Sequence, residues 1–329
     1  MMQQRSKLLQ QPARRVARQI VGRELAQWVR ARGRVGQRQS SDALHDFRVA
    51  LRRLRSTLRS FRPYLPPANG LRRRLRELAR DTNESRNLEI WQGWVTAQAA
   101  GLTARQAVGV GWLRGRLRAR KRRADGRMRG GVSQSFARLR RELAAVQDGR
   151  SGAAAAASSA VAAAVRAGGA DLRQQLARVR SMRDREAAHK ARIAAKRLRY
   201  LLEPFAAGLE GGGQLVERLE LLQDILGEIH DAHVFGDELR NALAEASESR
   251  FRAVGRRLLP WPPAEGPPGT APPPGARLGL LALARRLATD GEARFDRLRR
   301  ERRKGTIADL LRKLAQLGRT LGGHRGGRI

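Results

Sequence analysis

Two rows of basic side chains, each repeating at steps of three and four residues, carry the clearest chemical signal in the sequence. The first row comprises His45, Arg48, Arg52, Arg55, Arg59 and Arg62, and the second comprises His189, Arg192, Lys196 and Arg199. On a helix this spacing places the side chains along one face, about 5–6 Å apart. Each guanidinium can hold an oxyanion by two parallel hydrogen bonds, so the rows suit an extended anion with regularly spaced charges. The alternative interpretation is a basic face that is only solvated by water.

An apolar row accompanies each basic row, displaced from it by one residue. The apolar rows are Phe47, Leu51, Leu54, Leu58 and Phe61, and Ala191, Ala195, Leu198, Leu202 and Phe205. One residue corresponds to about 100° of helix rotation, so each basic row lies beside a core-facing row and not opposite it. A face that serves only solubility would lie away from the core and mix both signs of charge. The pattern therefore predicts two amphipathic helices, the first over about residues 44–62, that bind an anion.

The two rows belong to an internal repeat. A shift of 144 residues, from His45 to His189, places Arg52 on Lys196 and Arg55 on Arg199. The same shift aligns the segment after each row, where Leu75 meets Leu219, Leu78 meets Leu222 and Glu84 meets Glu228. The repeat predicts two copies of about four helices each, over residues 1–150 and 151–329.

Helical patterns run through nearly the whole chain, and strand patterns are missing. Breaks are expected at residues 63–70 and 208–213, and shorter ones at 130–131 and 149–152. The segment 260–275 is rich in proline and is expected to form an extended loop. The sequence therefore predicts an all-α fold.

The composition points to a polyanionic partner. The chain has 68 Lys and Arg against 30 Asp and Glu, a formal net charge of +38. A GC-rich genome would favour Arg over Lys, but it would not remove acidic residues. Hydrophobic residues make up 41% of the chain, which is enough for a core, and self-repulsion at this charge is relieved by bound anions. The sequence has no cysteine, so disulfides, Cys-ligated zinc and thiol catalysis are excluded.

Four segments resemble a known family. LHDFRVALRRLRSTLRSF (44–61) and AHKARIAAKRLRYLLEPF (188–205) resemble the two signature helices of the CHAD family, the conserved histidine α-helical domain. LRELARDTNESRNLEIW (75–91) and LELLQDILGEIHDAHVF (219–235) are similar to the helix that follows each signature. The resemblance covers essentially the whole chain. It implies two four-helix bundles related by pseudo-two-fold symmetry, which bind inorganic polyphosphate on a basic surface or pore between them and associate with polyphosphate granules.

The resemblance also implies which residues bind polyphosphate. They are His45, Arg48, Arg52, Arg53 and Arg55 in the first copy and His189, Arg192, Lys196, Arg197 and Arg199 in the second. We add Arg59 because it continues the first row. The two copies differ where Asp231 of the second copy keeps a family carboxylate that Asn87 of the first copy has lost. We therefore expect the first copy to be looser or more positive.

Motifs of phosphate-transferring enzymes are missing. The sequence has no G-x-x-x-x-G-K-[ST] loop, no Ser/His/Asp arrangement and no E-x-E-x-K triphosphate motif. We expect a protein that is not an enzyme and needs no cofactor. A phosphohydrolase, or a regulator of one, is the alternative from the enzyme class.

A metal site is a further alternative. His230 and His233 are three residues apart, so a helix would direct both imidazoles to one side, where they could hold a metal ion. No second pair of ligands lies nearby in the sequence, and we expect no metal. We expect Glu84, Glu228 and Asp231 to pair with arginines across the helices.

The rival partner for the same basic surface is nucleic acid. Aromatic residues are only 4% of the chain, and we expect Trp28, Trp91, Trp94 and Trp112 to lie in the core and not to stack on bases. The first 20 residues lack the apolar stretch of a secretory signal, and no run of about 18 apolar residues occurs. We therefore expect a cytoplasmic protein without a membrane partner.

Overall fold

The computed structural model describes residues 8–35, 41–149, 153–258 and 272–323. Its α-helices are α1 (Ala13–Arg34), α2 (Ser41–Ser60), α3 (Leu71–Ala97), α4 (Ala104–Asp148), α5 (Ala157–Arg178), α6 (Arg185–Leu202), α7 (Gly212–Leu258), α8 (Ala276–Arg303) and α9 (Thr306–Gly323). Short 3₁₀ helices follow α2 at Arg62–Tyr64 and α6 at Glu203–Gly208. No β-strand occurs in the described part of the chain, and the all-α prediction is confirmed.

The breaks predicted at residues 63–70 and 208–213 lie where the sequence placed them, whereas residues 150–152 of the break predicted at 149–152 lie outside the described residues. The chain leaves helix between α2 and α3 and again before α7, where Gly70 and Gly211 have φ of 74° and 64°. Few residues other than glycine adopt such angles without strain, and both glycines therefore mark turns. Most of the Pro-rich segment, residues 260–271, lies outside the described residues.

The predicted break at residues 130–131 is wrong. Helix α4 continues from Ala104 to Asp148 through Gly130 and Gly131. Each glycine weakens a helix by about 1 kcal/mol relative to alanine. Met128 and Val132 on either side are buried, and this tertiary packing outweighs the local preference.

The structure divides into two compact units, and unit 1 contains both signature helices. It consists of Met1–Thr82, Arg129–Gly227 and Asp296–Ile329. All ten side chains of the two predicted apolar rows are buried in it, which confirms the amphipathic pattern of α2 and α6. Helix α5 lies close against α6, where a Cβ on Gly168 would come within 2.8 Å of Leu198 Cδ2.

Unit 2 consists of Asn83–Met128 and Glu228–Phe295. Trp91 stacks on Phe235 with ring centroids 5.5 Å apart, and Trp94 meets the same ring edge-on at 5.1 Å. The first turns of α4 and α8 touch through their backbones, since a Cβ on Gly109 would lie 2.0 Å from the carbonyl oxygen of Ala276. Only glycine permits that approach.

Each compact unit contains residues from both predicted copies, so the division into units does not test the sequence repeat. The copy boundary between residues 150 and 151 and the pseudo-two-fold symmetry of two four-helix bundles therefore stay predictions.

None of the helices in the described ranges is long and apolar enough to span a membrane.

Candidate anion-binding site

Three helices of unit 1 enclose a cavity of about 350 Å³. Its basic lining comes from α2 (Arg52, Arg55, Arg59), α3 (Arg72, Arg76) and α6 (Lys196, Arg197), with Ser56, Ile193 and Tyr200 completing the wall. The apolar rows explain this arrangement. Leu54 and Leu198 are buried in the core, and the basic rows beside them turn towards a shared space.

The cavity has no internal charge compensation. None of its lining residues is acidic, so the seven basic side chains have no carboxylate among them within the cavity wall. Arg59 and Arg76 are exposed, whereas Arg55 and Lys196 are half-buried. Half-buried cations without carboxylates are costly, because they lose hydration and repel one another. A bound anion would remove both costs.

The pKa of Lys196 is strongly lowered in this cavity. Burial, and after it the positive charges of Arg192, Arg52, Arg55 and Arg197, together lower the pKa of its ammonium group to about 7. The amine is therefore partly neutral near pH 7. An anion beside it would stabilise the ammonium form and raise the pKa again.

Burial and neighbouring positive charges also lower the pKa of arginines in the cavity. Burial first, and then Arg76 and Arg52, lower the pKa of Arg55. Burial and Arg59 lower the pKa of Arg197, although Asp171 acts in the opposite direction. A multivalent anion would offset the repulsion among these cations.

Five of the eleven residues predicted from sequence come together in this cavity: Arg52, Arg55, Arg59, Lys196 and Arg197. Two more lie close enough to act on it electrostatically. Arg192 lowers the pKa of Lys196, and the pKa of His189 is lowered by burial and then by Arg192 and Lys196. His45 is exposed and Arg48 half-buried on α2, and neither belongs to the lining.

Arg53 and Arg199 are held by carboxylates. Arg53 Nε donates to Glu203 Oε2 at 3.0 Å, and Arg199 Nε donates to Glu203 Oε1 at 2.7 Å. Arg199 Nη1 also lies 2.9 Å from Glu220 Oε1. Burial alone would lower the pKa of Arg199, but these ion pairs outweigh it and raise the pKa. Both guanidiniums lie over the ring of Tyr200, at 6.0 and 5.3 Å, and thereby brace one wall of the cavity.

Sequence reasoning missed Arg72 and Arg76 of α3. Their signal was present, because they stand four residues apart in the stretch LRRRLRELAR directly after the α2–α3 break. Arg62, which the sequence placed in the first row, lowers the pKa of Arg72 together with burial, Arg59 and Arg76. The basic surface therefore continues from the cavity to the α2–α3 junction.

The basic residues of α4 in unit 2 are arranged differently. Arg120 forms ion pairs with Glu238 at 2.5 Å and with Glu84 at 3.6 Å, and Arg127 lies 2.7 Å from Glu84. The expected pairing of Glu84 with arginine is confirmed. No group of three or more His, Asp or Glu side chains that could share a metal ion occurs among the residues that the structure describes.

Comparison with known proteins adds a family and a fold. A family model described as CHAD domain matches residues 19–240. The crystal structure of the CHAD domain from the plant Ricinus communis has a TM-score of 0.60, at 21% identity over 85% of this chain and 88% of that one. PptA from Streptomyces chartreusis has a TM-score of 0.64, at 16% identity over 94% of this chain and 100% of that one. At these identities the structures show similarity of fold alone. None of the curated proteins matches the chain.

Proposed function

Because the chain belongs to the CHAD domain family, we propose that it binds inorganic polyphosphate and catalyses no reaction on it. The family is associated with polyphosphate binding. The observation that carries the proposal is the cavity between α2, α3 and α6, whose lining holds seven basic side chains and no acidic one. A polymer with a negative charge on every internal phosphate would relieve their repulsion along its length.

The size of the cavity favours polyphosphate over nucleic acid. Polyphosphate is a thin chain without bases, so a strand of it can enter a space of about 350 Å³. A nucleic-acid duplex is far wider and would reach only the exposed Arg59 and Arg76. Proteins that bind single strands add aromatic side chains on which bases stack, but Trp28 and Trp91 are buried.

The proposed role is that of a binding module in the cytoplasm, at granules where polyphosphate accumulates. Enzymes that transfer phosphoryl groups use carboxylates to hold Mg²⁺ beside the phosphates. The lining of this cavity contains no carboxylate, which suits binding without turnover. A fluorescent fusion of the full chain should colocalise with stained granules, and the double substitution Arg52→Ala with Lys196→Ala should leave it diffuse. Diffuse wild-type fluorescence in granule-containing cells would contradict the granule assignment.

A competition experiment tests the choice of partner. Labelled duplex DNA is bound to the full chain, and long-chain polyphosphate or unlabelled DNA is added at equal phosphate concentration. We expect polyphosphate to displace the label at lower concentration, and binding to weaken steeply with salt as counterions are released. Equal or reversed preference would assign the surface to nucleic acid.

A phosphate-release assay tests the absence of catalysis. Polyphosphate is incubated with the protein and Mg²⁺ or Mn²⁺, and free phosphate is measured over time. We expect phosphate to be released no faster with the protein than in a control without protein. Release that scales with protein concentration, and that the double substitution abolishes, would make the chain a phosphohydrolase.

A further inference from the structure

The two basic rows end differently. At the shift of 144 residues, Arg59 of the first copy corresponds to Glu203 of the second, and Arg76 corresponds to Glu220. Both carboxylates lie on Arg199, the counterpart of Arg55. Equivalent positions thus surround Arg55 with cations and Arg199 with anions.

The carboxylates at Arg199 form a barrier to polyanions. Glu203 bridges Arg199 of α6 and Arg53 of α2, and only 12% of the Arg199 side chain is exposed. Glu220 is half exposed, at 51%, and adds a negative charge on the solvent side of the same arginine. A phosphate that approached Arg199 would have to displace one carboxylate while being repelled by the other.

The cavity is basic at the α2–α3 junction. Arg59 near the end of α2 and Arg62 in the 3₁₀ helix that follows are exposed. Both lower the pKa of the half-buried Arg72 at the start of α3. Burial is the larger cause of that shift, but the three charges act on one another at the α2–α3 junction. A polyanion that continues beyond the cavity gains ion pairs in this direction.

We propose that Glu203 and Glu220 end the polyanion site on the α6 side, so that the bound chain leaves the cavity over Arg59, Arg62 and Arg72. This rests on the proposed function and adds a direction and a boundary to it. The two glutamates act as specificity-determining residues, because they decide how many consecutive phosphates the protein contacts. Arg53 and Arg199 are thereby positioning residues that hold Tyr200 in the cavity wall.

The substitution Glu220→Arg tests the boundary, since it installs the residue found at the equivalent Arg76. It releases Arg199 from one carboxylate and adds a second cation beside it. We expect the affinity for long-chain polyphosphate to rise roughly fivefold, as one ion pair with the new arginine and one with the partly released Arg199 would give. The slope of log affinity against log salt should steepen by about 1.5. The affinity for tripolyphosphate, which fits within the cavity, should not change.

The matched control is Glu248→Arg on the same helix. Glu248 is also exposed and also paired with an arginine, Arg252 at 2.5 Å, so the net charge changes equally at a remote position. An equal gain in both variants, no gain in either, or a gain that extends to tripolyphosphate would overturn the boundary. If Glu220→Arg does not fold, Glu220→Gln should give a smaller gain for the long chain only, and no gain there counts against the proposal. Wild-type protein that binds no polyphosphate in this assay would refute the proposed function itself.

Discussion

The basic residues around the cavity of unit 1 and the basic residues of α4 in unit 2 have opposite surroundings. In unit 1, seven basic side chains around the cavity face one another without a carboxylate between them. In unit 2, Arg116 and Arg120 of α4 are both paired with Glu238, whose side chain is only 6% exposed. Arg116 also contacts Glu245, and Arg120 contacts Glu84.

The difference shows that net charge alone does not locate a binding surface. Both groups contribute to the total of +38, yet only one has charge left to offer a ligand. Removing one partner of a buried ion pair destabilises a protein, whereas crowded cations repel one another until an anion binds. Substitutions should therefore separate the two groups, because one set changes binding and the other changes stability.

The largest effect is expected from removing two cations of the cavity. Arg52→Ala with Lys196→Ala should weaken binding of long-chain polyphosphate roughly a hundredfold, since each charge-assisted hydrogen bond contributes about 1.5–3 kcal/mol. Arg116→Ala with Arg120→Ala removes as many positive charges and should change the affinity by less than about threefold. Isothermal titration calorimetry at fixed salt measures both. Equal losses would mean that only total charge matters.

The reverse contrast is expected in stability. Arg120→Ala leaves the buried carboxylate of Glu238 with Arg116 alone and should lower the free energy of unfolding by about 2 kcal/mol, after allowance for the partial exposure of Arg120. Arg55→Ala removes repulsion from Arg76 and Arg52 and should leave stability unchanged or raise it. Urea unfolding of the ligand-free protein gives both values. A larger loss from Arg55→Ala would contradict the view that the cavity is uncompensated.

Arg76→Glu converts one position of the open cavity into its paired counterpart. The new carboxylate should form an ion pair with Arg55, as Glu220 does with Arg199. Because Arg55 is then no longer available to phosphate, polyphosphate binding should weaken roughly tenfold. Arg73→Glu on the same helix is the control, because Arg73 is 73% exposed and lies outside the lining. Fluorescence anisotropy with end-labelled polyphosphate measures the two affinities. Equal weakening by both substitutions would show that Arg76 has no special place.

The smallest effect is a pH dependence that follows from Lys196, whose pKa lies at about 7. Bound phosphate raises this pKa, so binding above pH 7 must take up a proton and the affinity falls as the pH rises. We expect a loss of about threefold between pH about 6.5 and 8.5 at constant salt. Lys196→Arg keeps its charge and should bind with little pH dependence. If the affinity of that variant still falls with rising pH, the pH dependence belongs to another group. His189, beside Arg192, Lys196 and Arg185, is one such group.

Local patterns predicted much of this fold. The apolar rows at three- and four-residue steps identified α2 and α6, and every member of those rows is buried. The glycine pair at residues 130–131 misled the prediction, because packing around Met128 and Val132 carries the helix through it. A local preference of about 1 kcal/mol per glycine is small beside the burial of apolar side chains on the same helix.

The candidate site was predicted only in part. Arg52, Arg55 and Lys196 were named from their rows, whereas Arg72 and Arg76 were not, because nothing in α3 by itself says which helix it faces. Arg199 belongs to a row by spacing, but two carboxylates hold it. The pairing of Arg199 with Glu203 can be predicted from the sequence, because the two residues are one helical turn apart. The pairing with Glu220 cannot be predicted in this way, because Glu220 belongs to α7.

The sequence by itself determined the helices, the faces that they bury and the positive charge beside those faces, because helical periodicity acts between residues three and four apart. Only the tertiary structure decided which cations stay uncompensated. Burial and ion pairing join side chains that are distant along the chain, as Arg199 joins Glu220 and Arg120 joins Glu238. The cavity exists where three basic faces meet, and its lining includes no acidic residue.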